Sequence, residues 1–289
     1  MRDWNEEAIV FECCGEPLVG IVHRVARSES RLGVLIVVGG PQYRVGSHRQ
    51  FTLMARALAA SGFPVLRYDY RGMGDRGGEV RSFEDVYDDL KVALDVFTRK
   101  GGTQLDGVVV FGLCDAASVT LMHGTRDPRV KGLVLANPWV RSPAGEARSY
   151  VRHYYSRRLL QRTFWRKLVS GELRVGRSVA DLVKAIARSR SGDASPKCFV
   201  QQMLEGLRAF PGPVLLLSSG RDLTAREFDD LCDRDPSWRS AIGRAGVEVV
   251  RLTYADHTFS ARRDLELGKR LVVNWLRSTQ AVACRPSRH

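Results

Sequence analysis

The sequence predicts an α/β fold: a mostly parallel sheet flanked by helices, with one inserted helical cap. Three observations carry this. Apolar runs of strand length alternate with stretches of helical spacing along most of the 289 residues. Several of those runs are continuously apolar, as strands buried on both faces are. Residues 141–208 break the alternation and are crowded with arginine.

Taken in order, AIVFECC and PLVGIVHRV, parted by Gly15-Glu16, form an antiparallel hairpin. Leu32–Gly40 is an apolar strand ending in glycines, and His48–Ala60 has helical spacing through Phe51, Met54, Ala55 and Leu58. Phe63–Tyr68 is the next strand. Phe83–Phe97 is an amphipathic helix with acids early and Arg99-Lys100 just after it, as the helix dipole favours. Val108–Phe111 is a strand, Asp115–His123 a helix and Val130–Ala136 a strand. After the Arg-rich segment, strands at Val214–Leu217 and Val247–Leu252 alternate with helices at Ala225–Cys232 and Asp264–Leu276. The domain reading is a core of residues 1–140 and 209–289 carrying a cap of residues 141–208.

Composition narrows the function classes. An apolar fraction of 44% excludes wholesale disorder. The densest apolar run, Val34–Val38, is far short of the roughly 18 residues that a membrane span requires. The segment MRDWNEEAIVFECCGEP lacks the apolar core of a signal peptide, so a cytoplasmic protein is expected. The six cysteines, Cys13, Cys14, Cys114, Cys198, Cys232 and Cys284, show no C-x-x-C pair, so reduced and mostly buried thiols are expected and no metal. The formal charge of +13 suggests a polyanion binder until it is located. Between Arg141 and Arg208 there are 15 Lys and Arg against 5 acids, a net +10. Its interleaved aromatics, Tyr150, Tyr154, Tyr155, Phe164 and Trp165, are read as the cap's own core and pocket lining, and no nucleic-acid partner is expected. The charge then marks an entrance for an acidic substrate or partner.

In open α/β sheets, chemistry gathers at the carboxyl ends of the strands. Val108–Phe111 runs into Gly112-Leu113-Cys114-Asp115-Ala116 and then a helix. This is the strand–turn–helix form G-x-Nuc-x-G, with Cys114 at the nucleophile and Ala116 for the second glycine. The sharp turn lifts the side chain above the sheet, and the helix N-terminus favours a thiolate and a developing oxyanion. Ser118 falls a turn inside the helix and is a poor substitute. Partners of such an elbow follow in the order acid, then histidine. Ser219-Gly220-Arg221-Asp222 and Tyr254-Ala255-Asp256-His257 end later strands, making Asp222 and His257 the candidates. Asp256 competes as the acid, but neighbouring loop side chains diverge. An oxyanion hole is expected from the N–H of Asp115 and from Gln42, in a Gly40-Pro41-Gln42 loop lining the substrate site, since Pro41 has no N–H. The G-x-G-x-x-G within Arg71–Gly77 opens no helix and is not read as a dinucleotide site.

These residues resemble the α/β-hydrolase superfamily over essentially the whole chain. VVGGPQYRVGSHRQF, RYDYRGMGDRGG and FGLCDAAS are similar, more narrowly, to the type-1 hydrolases associated with the exosortase A system in bacterial exopolysaccharide gene sets. The resemblance implies a cytoplasmic hydrolase whose gene sets also hold acyl-activating enzymes and acyl carriers. Cys114, Asp222 and His257 match the superfamily's triad positions. Cysteine for serine, Ala116 for glycine, and Gly39 where many relatives carry histidine all point away from a simple broad esterase. The expected activity is covalent acyl hydrolysis of an ester or thioester, including acyl-CoA or an acyl carrier protein, without a cofactor. Acyl transfer to an acceptor other than water is the alternative. A silent binding protein using the basic cap is the third reading.

Overall fold

A computed structural model describes residues 3–26, 30–39, 43–73, 82–100, 105–141 and 198–283. The chain divides into two compact units, one of Met1–Trp139 with Phe199–His289 and the other of Val140–Cys198. Of the second unit only Val140, Arg141 and Cys198 are described, so the expected cap residues 142–197 lie outside the described residues.

The first unit has the α/β-hydrolase fold. Its strands are β1 (Trp4–Cys13), β2 (Glu16–Val25), β3 (Leu32–Val37), β4 (Val65–Tyr68), β5 (Gly107–Leu113), β6 (Val130–Ala136), β7 (Val214–Ser219) and β8 (Val247–Leu252). They form one eight-stranded sheet in the order β1-β2-β4-β3-β5-β6-β7-β8. The β1–β2 and β2–β4 pairings are antiparallel and the rest parallel. Every residue of β3, β4, β5 and β7 is buried, which is why those runs carry no polar alternation. At the edge, β8 exposes Glu248 and Arg251, charges that discourage pairing with another sheet.

The described helices are α1 (Gln50–Ala60), α2 (Tyr87–Lys100), α3 (Asp115–Met122), α4 (Phe199–Ala209), α5 (Leu223–Arg234), α6 (Pro236–Ile242) and α7 (Arg262–Ala283). One core joins Val34, Ile36, Phe111 and Leu217 of the sheet to Phe51 and Leu58 of α1 and to Val272 and Leu276 of α7.

Two expectations change. The break in alternation ends at residue 198, not 208, because Phe199, Met203, Leu204 and Leu207 form a buried stripe on α4 that packs with the core. Nor are the thiols mostly buried. Cys13 and Cys232 are, but Cys14 and Cys198 are exposed and Cys114 lies between; Cys284 is outside the described residues. Cys14 sits in the β1–β2 turn with φ 52° beside Gly15 at φ 80°, where a hairpin turn points its side chain to solvent.

Candidate active site

Cys114 lies between β5 and α3 with φ 63° and ψ −125°, a backbone state that non-glycine residues rarely hold. Surrounding bonds impose it. The Cys114 N–H donates to the Ala136 carbonyl at 2.9 Å, and the Cys114 carbonyl accepts from Ala117 at 3.0 Å and from Trp139 at 3.2 Å. Gly112 is required because a Cβ there would meet the Ala116 carbonyl oxygen at 2.4 Å. At Gly39 a Cβ would fall 1.9 Å from Asp115 Oδ1. The Asp115 carboxylate therefore fills the space that any side chain at position 39 would need. It accepts from the Ala116 N–H at 2.9 Å and adds its charge to the burial that raises the Tyr70 phenol.

The Asp115 N–H, an expected oxyanion donor, is the first of α3. The other expected donor, Gln42, and the substrate-loop residues Gly40 and Pro41 lie outside the described residues, as do Gly74–Gly77 of the glycine-rich loop.

The late-strand loops bring the expected acid and base together. His257 Nδ1 and Asp222 Oδ2 are 2.8 Å apart. Asp222 is 7% exposed and caps α5, accepting from the N–H groups of Thr224 at 3.2 Å and Ala225 at 3.1 Å. A carboxylate tied to the helix start cannot rotate freely, so it fixes the imidazole's orientation. Asp256 is turned elsewhere: it accepts from the Thr258 N–H at 3.2 Å, the Ser260 N–H at 2.9 Å and the Ser260 hydroxyl. Burial raises the Asp256 carboxyl, but those bonds outweigh it and hold it below the usual carboxylate range.

Hydrogen bonds to Asp222 first and Cys114 second push His257 up from 6.5 to about 10, against the opposing effect of burial. An imidazole so held binds a proton more tightly than a free histidine and is a stronger base. The folded protein holds this proton more tightly than the unfolded chain, so the stabilisation is complete below about pH 6.5 and fades as pH rises towards 10. In urea unfolding, wild type is expected to exceed His257→Gln most below pH 6.5, with the gap closing by pH 10. A gap constant across that range contradicts the assignment.

The other described histidines sit differently. His23 is buried and pushed down to about 4 by desolvation and then Arg67. His123 is lowered by burial, and His48 is exposed. His153 and His289 lie outside the described residues. Ser118 is fully buried and its hydroxyl donates to the Trp139 carbonyl at 2.6 Å, which leaves Cys114 at the elbow. Among the described residues no group of three or more His, Cys, Asp or Glu could hold a metal ion. No helix among them is long and apolar enough to cross a membrane.

Asn137 is a residue the sequence reading missed. It follows β6 with φ 47°, is fully buried, and bridges two loops. Its Nδ2 donates to Ser219 Oγ at 3.0 Å and to the His257 carbonyl at 3.1 Å, while its Oδ1 accepts from the Ser219 N–H at 2.9 Å. The sequence signal was present: asparagine just past an apolar strand, among the non-glycine residues most tolerant of a left-handed backbone. Asn137→Ala strands a buried N–H and a carbonyl, so urea unfolding is expected to show a loss of about 2 kcal/mol or more. An unchanged midpoint contradicts the role.

Residues 33–258 match the family model described as serine aminopeptidase, S33. Among curated proteins, the uncharacterized protein YcjY of Escherichia coli (strain K12) is 29% identical over 82 residues, and the match spans only 27% of the length of either chain. Among solved structures, the Pyrococcus furiosus esterase Pf2001 superposes with a TM-score of 0.64 at 16% identity, covering 96% of this chain and 92% of its own. Est1E of Butyrivibrio proteoclasticus, solved with ferulic acid, gives 0.62 at 13% identity over 95% of this chain and 100% of its own. At such identities these structures establish likeness of fold.

Proposed function

Starting from the fact that the chain belongs to the serine aminopeptidase S33 family of α/β-hydrolases, we propose that it is an acyl hydrolase whose nucleophile is Cys114. The observation that carries this reading is the 2.8 Å contact of Asp222 with His257, whose basicity Cys114 also raises. The residues form a nucleophile–base–acid relay in the chain order such elbows use.

In the proposed mechanism Cys114 gives its proton to His257, held by Asp222, and the sulfur attacks the carbonyl carbon of an ester or thioester. The oxyanion accepts from the Asp115 N–H and from the loop carrying Gln42. On collapse, the carbon–oxygen or carbon–sulfur bond to the leaving group breaks and His257 returns the proton to that group. Water, deprotonated by His257, then cleaves the S-acyl bond and frees Cys114. A sulfur nucleophile suits thioesters because the exchange of one thioester for another is close to thermoneutral. The narrower resemblance to the exosortase-associated hydrolases, with their acyl-activating neighbours, supports the same substrate class.

Labelling with a thiol-directed alkylator and a serine-directed fluorophosphonate tests the nucleophile. The alkylator should modify Cys114 and stop turnover in proportion, and the fluorophosphonate should leave activity intact. Inactivation by the fluorophosphonate with Cys114 unmodified overturns the reading.

A further inference from the structure

Beside the candidate acid and base, two guanidiniums gather on one exposed ring. Tyr254, three residues before His257, is 59% exposed. The Arg221 guanidinium lies 5.5 Å from its ring centroid and that of Arg263 lies 6.0 Å away. Arg221 directly precedes Asp222, and its N–H donates to the Ala255 carbonyl at 3.0 Å, which binds the two loops to each other. Arg262, directly before Arg263, is exposed as well.

Among the described residues, Arg221, Arg262 and Arg263 form no ion pair with a carboxylate. Several other guanidiniums of the unit do meet acids: Arg71 with Asp89 at 2.8 Å, Arg129 with Asp95 at 2.6 Å and Asp127 at 2.7 Å, and Arg56 with Glu6 at 2.8 Å. Of the acids next to them in sequence, Asp222 is taken by His257 and the start of α5, Asp264 is buried, and Asp256 is occupied by Ser260 and Thr258. Arg262 and Arg263 also open α7, the end of a helix where cations are disfavoured. Packing does not explain the cluster, since these side chains are exposed; like charges held together at an active-site rim mark a place for an anion.

The geometry points to Arg221, Tyr254 and Arg263 as a docking site for a phosphate-bearing leaving group of the acyl substrate. Guanidiniums bind phosphate oxygens in bidentate pairs, and the ring restrains the two side chains in place. This inference rests on the acyl-hydrolase reading and names the substrate class of that site. It places the phosphates on the outer side of the His257 loop and leaves the arm of the leaving group to run from there to the carbon–sulfur bond that breaks.

The test compares one acyl group on two thiols, the CoA thioester and the phosphate-free N-acetylcysteamine thioester, with pyrophosphate as a separate binding probe. In Arg221→Ala/Arg263→Ala the ratio of kcat/KM for the CoA thioester to that for the N-acetylcysteamine thioester is expected to fall at least tenfold, through KM. Arg270→Ala/Arg277→Ala removes the same charge from exposed positions further along α7 and should leave that ratio as in wild type. Pyrophosphate should bind wild type in calorimetry and bind the Arg221/Arg263 variant at least tenfold more weakly. If neither thioester is hydrolysed while this difference in pyrophosphate binding persists, the acyl reading falls and the anion site stands. Equal pyrophosphate binding by wild type and the Arg221/Arg263 variant, or an equal drop in the two double variants, overturns the site.

Discussion

Cys114→Ala is expected to lower kcat/KM for any ester or thioester substrate by about 10³-fold or more, equivalent to about 4 kcal/mol of transition-state stabilisation. The size follows from the role: without the sulfur there is no covalent intermediate, and only binding and oxyanion donors remain. The protein should still fold, because Cys114 is half-buried at a turn held by backbone bonds through its own N–H and carbonyl. Cys114→Ser is the sharper variant. A serine hydroxyl is a far weaker acid than a thiol and yields its proton to His257 less readily, and the Cys114 contact that helps raise His257 is lost with the sulfur. Serine should therefore lose at least about 10²-fold against cysteine even though it would match the family's description. A serine variant as active as wild type contradicts the need for a thiol, and an active alanine variant contradicts the nucleophile itself.

Asp222→Asn carries the second large effect, a fall in kcat of about 10²- to 10⁴-fold. Asparagine is nearly isosteric and still caps α5, so the loss isolates the carboxylate charge that steadies the His257 imidazolium and its orientation. Asp256→Asn should stay within about threefold of wild type, because its carboxylate closes a turn with Thr258 and Ser260. Kinetics on the two variants, with circular dichroism to verify folding, decide between the acids. A large loss at Asp256 with a small one at Asp222 reverses the assignment.

What the sequence showed and what it hid have physical causes. Runs such as Leu32–Val37, Val108–Phe111 and Val214–Leu217 announced their strands because burial on both faces leaves no room for polar residues. Glycine at 112 and the small Ala116 announced the elbow because backbone passes so close there. The tie through Asn137 was hidden because its partners, Ser219 and His257, lie 82 and 120 residues away and one asparagine carries no periodicity. The end of the inserted segment was misjudged because charge was used to set it, and Arg208 belongs to a helix whose other face is core. Helix α6 was missed although Asp235 accepts from the Ser237 N–H and Pro236 opens the first turn, a recognisable helix start. The left-handed pair His48 and Arg49, with φ of 52° and 61°, split the expected helix start at His48, and nothing in the local composition gave that away.

The central claim, that an acyl group passes through the Cys114 sulfur, is tested most directly by trapping it. Wild-type protein is mixed briefly with a slowly hydrolysed acyl thioester, quenched in acid and weighed intact, then digested for peptide mapping. The expected result is a mass increase of one acyl group, mapped to Cys114, released by hydroxylamine and absent in Cys114→Ala. An adduct on a serine, or turnover that continues with Cys114 fully alkylated, contradicts it.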